Sequence, residues 1–386
     1  MIYLDYNATT PLCEAGRAAM LPFLEEKFGN PSSVHAAGRE ARAAIDDARD
    51  RLANLLGAKP HELIFTSGGT EANNLAVLGL ARSRTAQGKH LISAKTEHHA
   101  VLNAVEHLEK CDDFQVTWLD VSENGLIDLD QLADSIRDDT VLVSVMHANN
   151  ETGVIQPLPQ ISEICQKRGV LLHSDMVQSF GKISAEAVSL VAAGSFAAHK
   201  FYGPKGAGLL FLRSVIPIEP IQFGGAHENQ RRPGTENVAM IAGMAAAAEF
   251  VQRDREFEQE RQKELRDQLW QDISRQIESV VLNGDARCRL VNTLNVSLPE
   301  LDSETMLMAL DLEGVCASSG SACMVGSVMA SHVLLAMGLP LGLAKSAIRF
   351  SLGKDTTAQE ISTTAGILSE IVQRTNARRR QRKVAV

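Results

Sequence analysis

The chain has 386 residues, of which 45% are hydrophobic and 22% are charged, and its formal net charge is -9. This length allows two globular domains, and the negative charge argues against a general binder of nucleic acid or of membrane surfaces. No apolar run reaches the roughly 18 residues of a membrane span, and the N-terminus, MIYLDYNATTP, lacks the basic and apolar regions of a signal peptide. We therefore expect a cytoplasmic protein with no nucleic-acid or membrane partner.

Strand-like and helix-like stretches alternate through the first half of the chain. The apolar runs ELIFT, HLISA and VLVSVMH are each followed by an amphipathic stretch of helix length, and VLLHSD and GAGLLFLR come after them. This alternation is typical of right-handed βαβ units. It predicts an α/β fold in which helices cover a mostly parallel sheet.

The pattern changes after about residue 236. One long helical region begins at ENVAMIAGM, and it is apolar in its first part and heavily charged in its second, as expected of a helix that leaves the main domain. The stretches TLNVSLP, SETMLMALDLEG and AIRFSLG then predict a smaller α+β domain. The basic run near the end, ARRRQRK, we interpret as a solvated tail.

The cysteines are scattered along the chain and form no C-x-x-C pair. They are Cys13, Cys111, Cys165, Cys288, Cys316 and Cys323. This spacing indicates neither a zinc site nor a disulfide framework, so we expect no metal. Most of these cysteines are expected to be small core residues.

Lys200 lies where a small apolar run, GSFAA, meets the Gly- and Pro-rich turn FYGPKG. A lysine at the end of a strand usually points into water. The carboxyl ends of strands in an α/β sheet are also where ligands bind, and a lysine held there has a lowered pKa and can form a Schiff base. Lys205, in the same turn, is the competing candidate, although it does not follow the strand directly.

Asp175 ends the strand VLLHSD, so a parallel sheet can bring its carboxylate and the Lys200 amine to one edge. A lysine with an aspartate partner is the pairing that pyridoxal phosphate requires, and a helix-capping aspartate is the alternative. The stretch FTSGGTEANN adds Gly68, Gly69 and Thr70 at the start of a helix. Backbone N–H groups there suit a phosphate, although SGGT is also a good turn.

Polar residues also follow other predicted strands. A histidine of TEHHAV can stack on a cofactor ring and exchange protons, although a lone histidine is more often a surface or core residue. In HANNETG, Asn149 and Asn150 offer amide donors. In the predicted smaller domain, Cys323 lies in ASSGSACMVGS, typical of an exposed loop, and Arg349 lies on a strand, where a guanidinium can clamp a substrate carboxylate.

Ten stretches of this chain together resemble the NifS-like cysteine desulfurases of the class V aminotransferase family. They run in the family's order from residue 4 to residue 353: LDYNATTP, GNPSS, FTSGGTEANN, TEHHAV, HANNETG, HSDMVQ, AHKFYGPKG, RRPGTENV, SSGSAC and IRFSLG. The resemblance implies a fold type I pyridoxal phosphate enzyme. Residues 13–250 would form the large cofactor-binding domain, and residues 1–12 and 251–386 the small domain that carries the catalytic cysteine loop.

The resemblance also implies a role for each matching residue. Lys200 would bear the cofactor, His98 would stack on its ring and transfer protons, and Cys323 would take the sulfur of L-cysteine as alanine leaves. The other cofactor contacts would come from Gly69, Thr70, Asn149, Asp175, Gln178, His199 and, from the other subunit of a homodimer, Thr235. Asn149 and Arg349 would bind the substrate carboxylate. A sulfur-acceptor or iron–sulfur scaffold protein would receive the persulfide.

Three positions depart from the family pattern. Ala197 replaces a serine that binds phosphate, Met176 replaces an alanine beneath the ring, and Glu228–Gln230 reads ENQ instead of ERG. We expect Met176 to pack on the ring or crowd it. The alternatives to a desulfurase are a selenocysteine lyase, another class V aminotransferase-type activity, or a weakly active homologue that serves as a scaffold.

Overall fold

The structure is a computed structural model that describes residues 1–319 and 330–384, with the backbone alone for residues 378–384. The helices are α1 (Glu14–Glu25), α2 (Ala36–Leu56), α3 (Gly69–Arg82), α4 (His99–Cys111), α5 (Leu129–Ser135), α6 (Leu158–Arg168), α7 (Val238–Arg253), α8 (Arg255–Gln276), α9 (Ser303–Leu312), α10 (His332–Ala336), α11 (Leu341–Ala344) and α12 (Ala358–Val384). The strands are β1 (Ile2–Tyr3), β2 (Leu63–Thr66), β3 (His90–Ala94), β4 (Gln115–Leu119), β5 (Thr140–Ser144), β6 (Leu171–Asp175), β7 (Ala193–Ala197), β8 (Gly208–Leu212), β9 (Val281–Leu282), β10 (Thr293–Ser297), β11 (Val315–Cys316) and β12 (Ala347–Ser351).

A seven-stranded sheet in the order β2-β8-β7-β6-β5-β3-β4 forms the centre of the larger part of the chain. The pairs from β7 to β4 are parallel, and β8 alone runs antiparallel to its neighbours β7 and β2. Strands β3, β5, β6 and β7 are buried along their whole length, which explains why their sequences are apolar runs instead of alternating patterns. The predicted α/β fold with a mostly parallel sheet is confirmed.

Two apolar clusters cover the two faces of this sheet. One gathers residues of α2, α6 and α7 with the sheet, and the other gathers residues of α3 and α4. Helices therefore lie on both faces, as the alternation of strands and helices predicts. The carboxyl ends of β2, β3, β5, β6 and β7 meet at one edge of the sheet, because β2 is antiparallel to β8 and so parallel to the others.

A second, smaller sheet in the order β12-β10-β9 is antiparallel and has its own apolar core. Helices α8, α9 and α12 contribute to that core, together with Leu4 from the N-terminal segment. The N-terminal strand β1 pairs with β11. This α+β part matches the expected second domain, and the boundaries 13–250 against 1–12 and 251–386 stay a prediction that the two separate cores support.

The long helical region predicted after residue 236 is two helices, α7 and α8, which meet at Asp254. The first is apolar because it is buried against the larger part, where it packs on α1 and α2. The second is highly charged and packs on α12 of the smaller part. Within the described residues, none of these helices is both long and apolar enough to cross a membrane.

Candidate active site

A cavity of about 390 Å³ lies at the edge where the carboxyl ends of the parallel strands meet. Its lining comes from both parts of the chain: Asn7, Ala8, Gly69, Thr70, Asn73, His98, Met146, Asn150, Asp175, Val177, Gln178, Ala197, His199, Lys200 and Arg349. The residues predicted from sequence are thus brought together except for Asn149, Thr235 and Cys323. Of these, Cys323 lies outside the residues that the structure describes.

Lys200 ends a short 3-10 turn, Ala198–Lys200, that follows directly on β7. Its Nζ donates hydrogen bonds to the backbone carbonyls of Asn7 (2.7 Å) and Ala8 (2.8 Å), so the N-terminal segment holds the amine at the cavity. The strand itself ends at Ala197, three residues before the lysine. Lys205 is exposed and does not line the cavity, which leaves Lys200 as the lysine of this site.

Asp175 is the last residue of β6, and its carboxylate is buried. One oxygen accepts a hydrogen bond from Asn73 Nδ2 at 2.7 Å and the other from the Val177 backbone N–H at 2.9 Å. It caps no helix, so the alternative interpretation of this residue is wrong. Asn73 was missed from sequence, although its position one helical turn after Gly69 places it on the face of α3 toward the same edge.

The first turn of α3 lies against the cavity, with Gly69 and Thr70 in its lining. A Cβ atom built on Gly69 would lie 2.8 Å from Cγ2 of Val177 and 3.3 Å from Cβ of Ala197, so only glycine fits at this position. The backbone N–H groups at this helix terminus have no intrahelical acceptor. They form the kind of anion site that a phosphate occupies.

Burial lowers the pKa of two histidines in the cavity and so favours their neutral forms. Burial lowers the pKa of His199 to about 4, and the positive charges of Lys200 and Lys205 contribute to this shift. Burial also lowers the pKa of His98, which the nearby Asp175 carboxylate partly offsets. His98 caps α4, because its Nδ1 accepts from the Ala100 N–H at 3.1 Å. That bond leaves Nε2 as the atom that can carry and exchange a proton.

Asn149 does not reach the cavity, contrary to the role that the family resemblance implied. Its Oδ1 accepts from the N–H groups of Glu151 and Thr152, both at 2.9 Å, and its Nδ2 donates to the Thr96 carbonyl at 3.0 Å. The side chain is therefore fully engaged in shaping the turn after β5, as asparagine often is. The neighbouring Asn150 lines the cavity instead.

Arg349 reaches the cavity from β12 of the smaller sheet and is 2% exposed. Its Nη2 lies 2.7 Å from the Asp5 carboxylate, and its Nη1 donates to the Asn150 carbonyl at 2.9 Å. Among residues 1–319 and 330–384, its buried Nε atom has no hydrogen-bond partner. Asp5, which also accepts from the Ser318 hydroxyl at 2.8 Å, was missed from sequence because it lies 344 residues from Arg349.

Met176 does not lie in the cavity, so the expectation that it would crowd a cofactor ring is wrong. It is buried in the core against the sheet, and a Cβ atom at Gly194 would lie 3.1 Å from its sulfur. The next residue, Val177, lines the cavity in its place. After the end of a strand, the conformation of the turn determines which of two successive residues faces the cavity. The sequence pattern did not predict that this residue is Val177 and not Met176.

The segment Glu228–Gln230, whose sequence departs from the family pattern, has positive φ angles of 45°, 55° and 64° at its three successive residues. It is held by Glu228, whose buried carboxylate pairs with Arg49 at 2.5 Å and accepts from the Phe65 N–H at 3.2 Å. Thr235, a few residues later, is exposed and does not line the cavity of its own chain. Asn229 and Gln230 of this segment are exposed as well.

Comparison with known proteins agrees with this geometry. Residues 2–363 match the aminotransferase class-V family. A cysteine desulfurase IscS of Dictyoglomus turgidum is 47% identical over 374 residues, which cover 97% of this chain and 95% of that protein. The structure of a NifS-like protein superposes with a TM-score of 0.91 at 35% identity, covering 96% of this chain and 99% of the other.

A third relative is a solved complex of SspA with cysteine. It superposes with a TM-score of 0.79 at 33% identity and covers 91% of this chain and 99% of the other. The region that matches the family includes the whole cavity, from Asn7 to Arg349. With its parallel sheet, its lysine and aspartate at one edge and these relatives over nearly its full length, the chain belongs to the class-V aminotransferase family, among its pyridoxal phosphate-dependent cysteine desulfurases.

Proposed function

We propose that this protein converts L-cysteine to L-alanine and leaves the sulfur as a persulfide on Cys323. One observation carries the proposal: a single cavity contains a lysine amine, a buried carboxylate and a helix N-terminus, with an arginine from the smaller sheet beside them. In atoms, L-cysteine and the Cys323 thiol become L-alanine and a Cys323 persulfide. The Cβ–S bond of the substrate breaks and an S–S bond forms, so the exchange needs no external oxidant.

The residues of the cavity fit pyridoxal phosphate. The first turn of α3, which lines the cavity at Gly69, can bind a phosphate through its backbone N–H groups. A side chain is excluded at Gly69, because its Cβ atom would meet Val177. Asp175 offers a buried carboxylate for the pyridine nitrogen, and Lys200 an amine for the aldehyde. When bound, the cofactor supplies an electron sink that weakens the Cβ–S bond of the substrate.

We assign the remaining contacts as follows. His199 and Thr70 would help to hold the phosphate, and Gln178 the phenolic oxygen of the ring. Arg349, whose buried Nε has no partner in the part of the chain that the structure describes, would bind the substrate carboxylate. Asn150, which lines the cavity, takes the place that the resemblance implied for Asn149. His98 would move protons through Nε2, because Nδ1 is engaged by the backbone.

The experiment that tests this function follows the products of L-cysteine. Purified protein with its cofactor should produce alanine in step with persulfide on Cys323, and sulfide when a reducing thiol is present. Selenocysteine offered in parallel distinguishes a lyase specific for selenium. Alanine without protein-bound persulfide, or no alanine at all, would contradict the proposal.

A serine at position 197 is expected to tighten cofactor binding. The Cβ of Ala197 lies beside the first turn of α3, so Ala197→Ser would direct a hydroxyl to where the phosphate is proposed to bind. A hydrogen bond to a charged group contributes about 1.5–3 kcal/mol, so the dissociation constant should fall about tenfold or more. Fluorescence titration of a Lys200→Ala background, in which binding is reversible, measures it.

The control for this variant is Ala8→Ser, which adds the same hydroxyl to another residue of the cavity lining, whose carbonyl accepts from Lys200. We expect little change in affinity there. An Ala197→Ser protein that binds the cofactor no more tightly would mean that water or another side chain already supplies this hydrogen bond.

We propose that the functional unit is a homodimer in which Thr235 completes the phosphate site of the other subunit. Three exposed large apolar side chains support the dimer. They are Phe28, Val34 and Phe223, which are 84%, 88% and 89% exposed. The segments that carry them are neighbours, linked by a contact of 3.2 Å between Ser32 and His227. Exposed apolar side chains grouped in this way are typical of an interface.

The variant Phe223→Asp is expected to sediment as a monomer and to bind pyridoxal phosphate more weakly, because each phosphate site then lacks its threonine from the other subunit. Val215→Asp is the matched control, since Val215 is also exposed but lies at the start of the connection after β8, beside Ser214, whose N–H donates to Glu62. Analytical ultracentrifugation and cofactor titration measure both effects. A stable monomer with full cofactor affinity and activity would contradict the shared site.

We further propose that the persulfide passes to an acceptor protein in iron–sulfur cluster assembly or in thio-modification, and that this takes place in the cytoplasm. Support comes from the IscS relatives, which are 45% and 47% identical. Transfer of labelled sulfur from Cys323 to a candidate scaffold protein, followed by mass spectrometry, is the measurement that identifies the acceptor.

A further inference from the structure

Lys182 lies next to the cavity and has no role in the chemistry proposed above. It is in the turn that follows β6, four residues after Gln178. Its Nζ donates to Gln178 Oε1 at 2.8 Å and to Asn7 Oδ1 at 3.2 Å. The amine therefore binds the side-chain oxygens of two residues that line the cavity, although Lys182 itself is not part of the lining.

These contacts determine which way the Gln178 amide points. A lysine amine has donors to offer and binds acceptors, so the Gln178 atom beside it must be the oxygen and not the nitrogen. The amide nitrogen is then directed to the other side, where Nε2 donates one hydrogen to the Asn7 carbonyl at 2.8 Å. Its second hydrogen is available to an acceptor in the cavity. Without Lys182, of these two contacts only the bond from Nε2 to the Asn7 carbonyl would remain to distinguish the two orientations of the amide, which have nearly the same shape.

The charge around Lys182 is mostly positive. Burial lowers its pKa to about 7, and the positive charges of Lys200 and Arg349 contribute to this shift. A small cavity behind Lys200 is also lined by Lys182, with Arg255, Glu258 and Lys354 around it. A neutral amine still donates through its N–H groups, so the contact with Gln178 Oε1 does not depend on the charge of Lys182.

We propose that Lys182 is a positioning residue that orients the Gln178 amide so that its N–H group binds the phenolic oxygen of pyridoxal phosphate. This inference rests on the proposed function and adds a residue that does not itself touch the cofactor. It predicts that substitution of Lys182 weakens the contact with the phenolic oxygen and leaves the contacts with the rest of the cofactor unchanged.

The test compares two ligands in a Lys200→Ala background, where binding is reversible. The probes are pyridoxal phosphate and its 3-deoxy analogue, which lacks the phenolic oxygen. Lys182→Met should weaken binding of pyridoxal phosphate about tenfold and change binding of the 3-deoxy analogue by less than about twofold. Lys182→Arg, which keeps N–H donors, should restore most of the affinity for pyridoxal phosphate.

Two controls separate positioning from a general effect. Lys205→Met removes a charge from an exposed lysine of the neighbouring turn and should change neither dissociation constant. In a Gln178→Ala background, Lys182→Met should no longer change the affinity for pyridoxal phosphate, because the amide to be oriented is gone. Thermal unfolding of each variant verifies that it is folded, and Lys182→Gln replaces Lys182→Met if the latter is not.

An equal loss of affinity for both ligands, or no loss for either, would overturn the inference. An effect of Lys182→Met that persists in the Gln178→Ala background would do so as well. If the Lys200→Ala parent bound neither ligand, the proposed cofactor site itself would fail, and this result is distinct from a failure of Lys182 alone.

Discussion

Lys200→Ala is expected to yield a colourless protein after gel filtration, with alanine production from L-cysteine reduced at least about 10³-fold. The reason is that Lys200 offers the amine of the cavity, held 2.7 Å and 2.8 Å from the carbonyls of Asn7 and Ala8. Loss of both the covalent attachment and a proton-transferring group removes more than general acid–base catalysis alone, which contributes about 10²–10⁴-fold. Absorbance of the bound cofactor and alanine release measure the two effects.

Lys205→Ala is the matched control, because Lys205 lies five residues away in an exposed position of the same turn. It should keep the yellow colour and the activity. Lys200 is not a member of the apolar cores, so we expect Lys200→Ala to remain folded, and circular dichroism verifies this. A colourless Lys205→Ala protein beside a yellow Lys200→Ala protein would overturn the assignment.

Cys323→Ser is expected to separate substrate binding from sulfur removal. Cofactor attachment and binding of the substrate carboxylate rest on Lys200, Asp175 and Arg349, so L-cysteine should still change the absorbance of the bound cofactor. Release of alanine should fall by at least about 10³-fold, because a serine hydroxyl is a far weaker nucleophile toward sulfur than a thiolate. Stopped-flow absorbance and amino-acid analysis measure the two steps.

The other cysteines offer controls for this variant. Cys111 and Cys288 are exposed, and none of the cysteines within residues 1–319 lines the cavity. Burial raises the pKa of the Cys165 thiol to about 12, so it has almost no thiolate at neutral pH. Cys111→Ser should therefore keep full alanine production. Full production by Cys323→Ser instead would show that another group removes the sulfur.

Much of the chemistry of this site could be predicted from the sequence, because the ends of the strands can be located from the sequence pattern. An apolar run followed by a polar residue identified Asp175 and Lys200, and the run ELIFT followed by SGGT identified the helix terminus at Gly69. The carboxyl ends of parallel strands meet at one edge, so their order along the chain sufficed to group them. Position along a strand is local information.

The sequence did not predict which of two neighbouring residues faces the cavity. The residue pattern offered both Asn149 and Asn150, the resemblance implied Asn149, and we expected Met176 at the ring, whereas Asn150 and Val177 line the cavity. Each pair follows a strand, where alternation of side chains ends and the hydrogen bonds of the turn take over. Asn149 is held by three backbone partners in and beside its turn, and no pattern of residue types reveals those bonds in advance.

Contacts between distant segments were decided by the tertiary structure alone. Asp5 meets Arg349 because residue 5 pairs with residue 351 beside the smaller sheet, and Lys182 meets Asn7 because the N-terminal segment crosses the end of β6. The residue types were visible in the sequence, and their partners were not. A strand's apolar pattern specifies burial of its own residues, whereas the pairing of side chains far apart in the chain depends on how the two sheets and the N-terminal segment pack together.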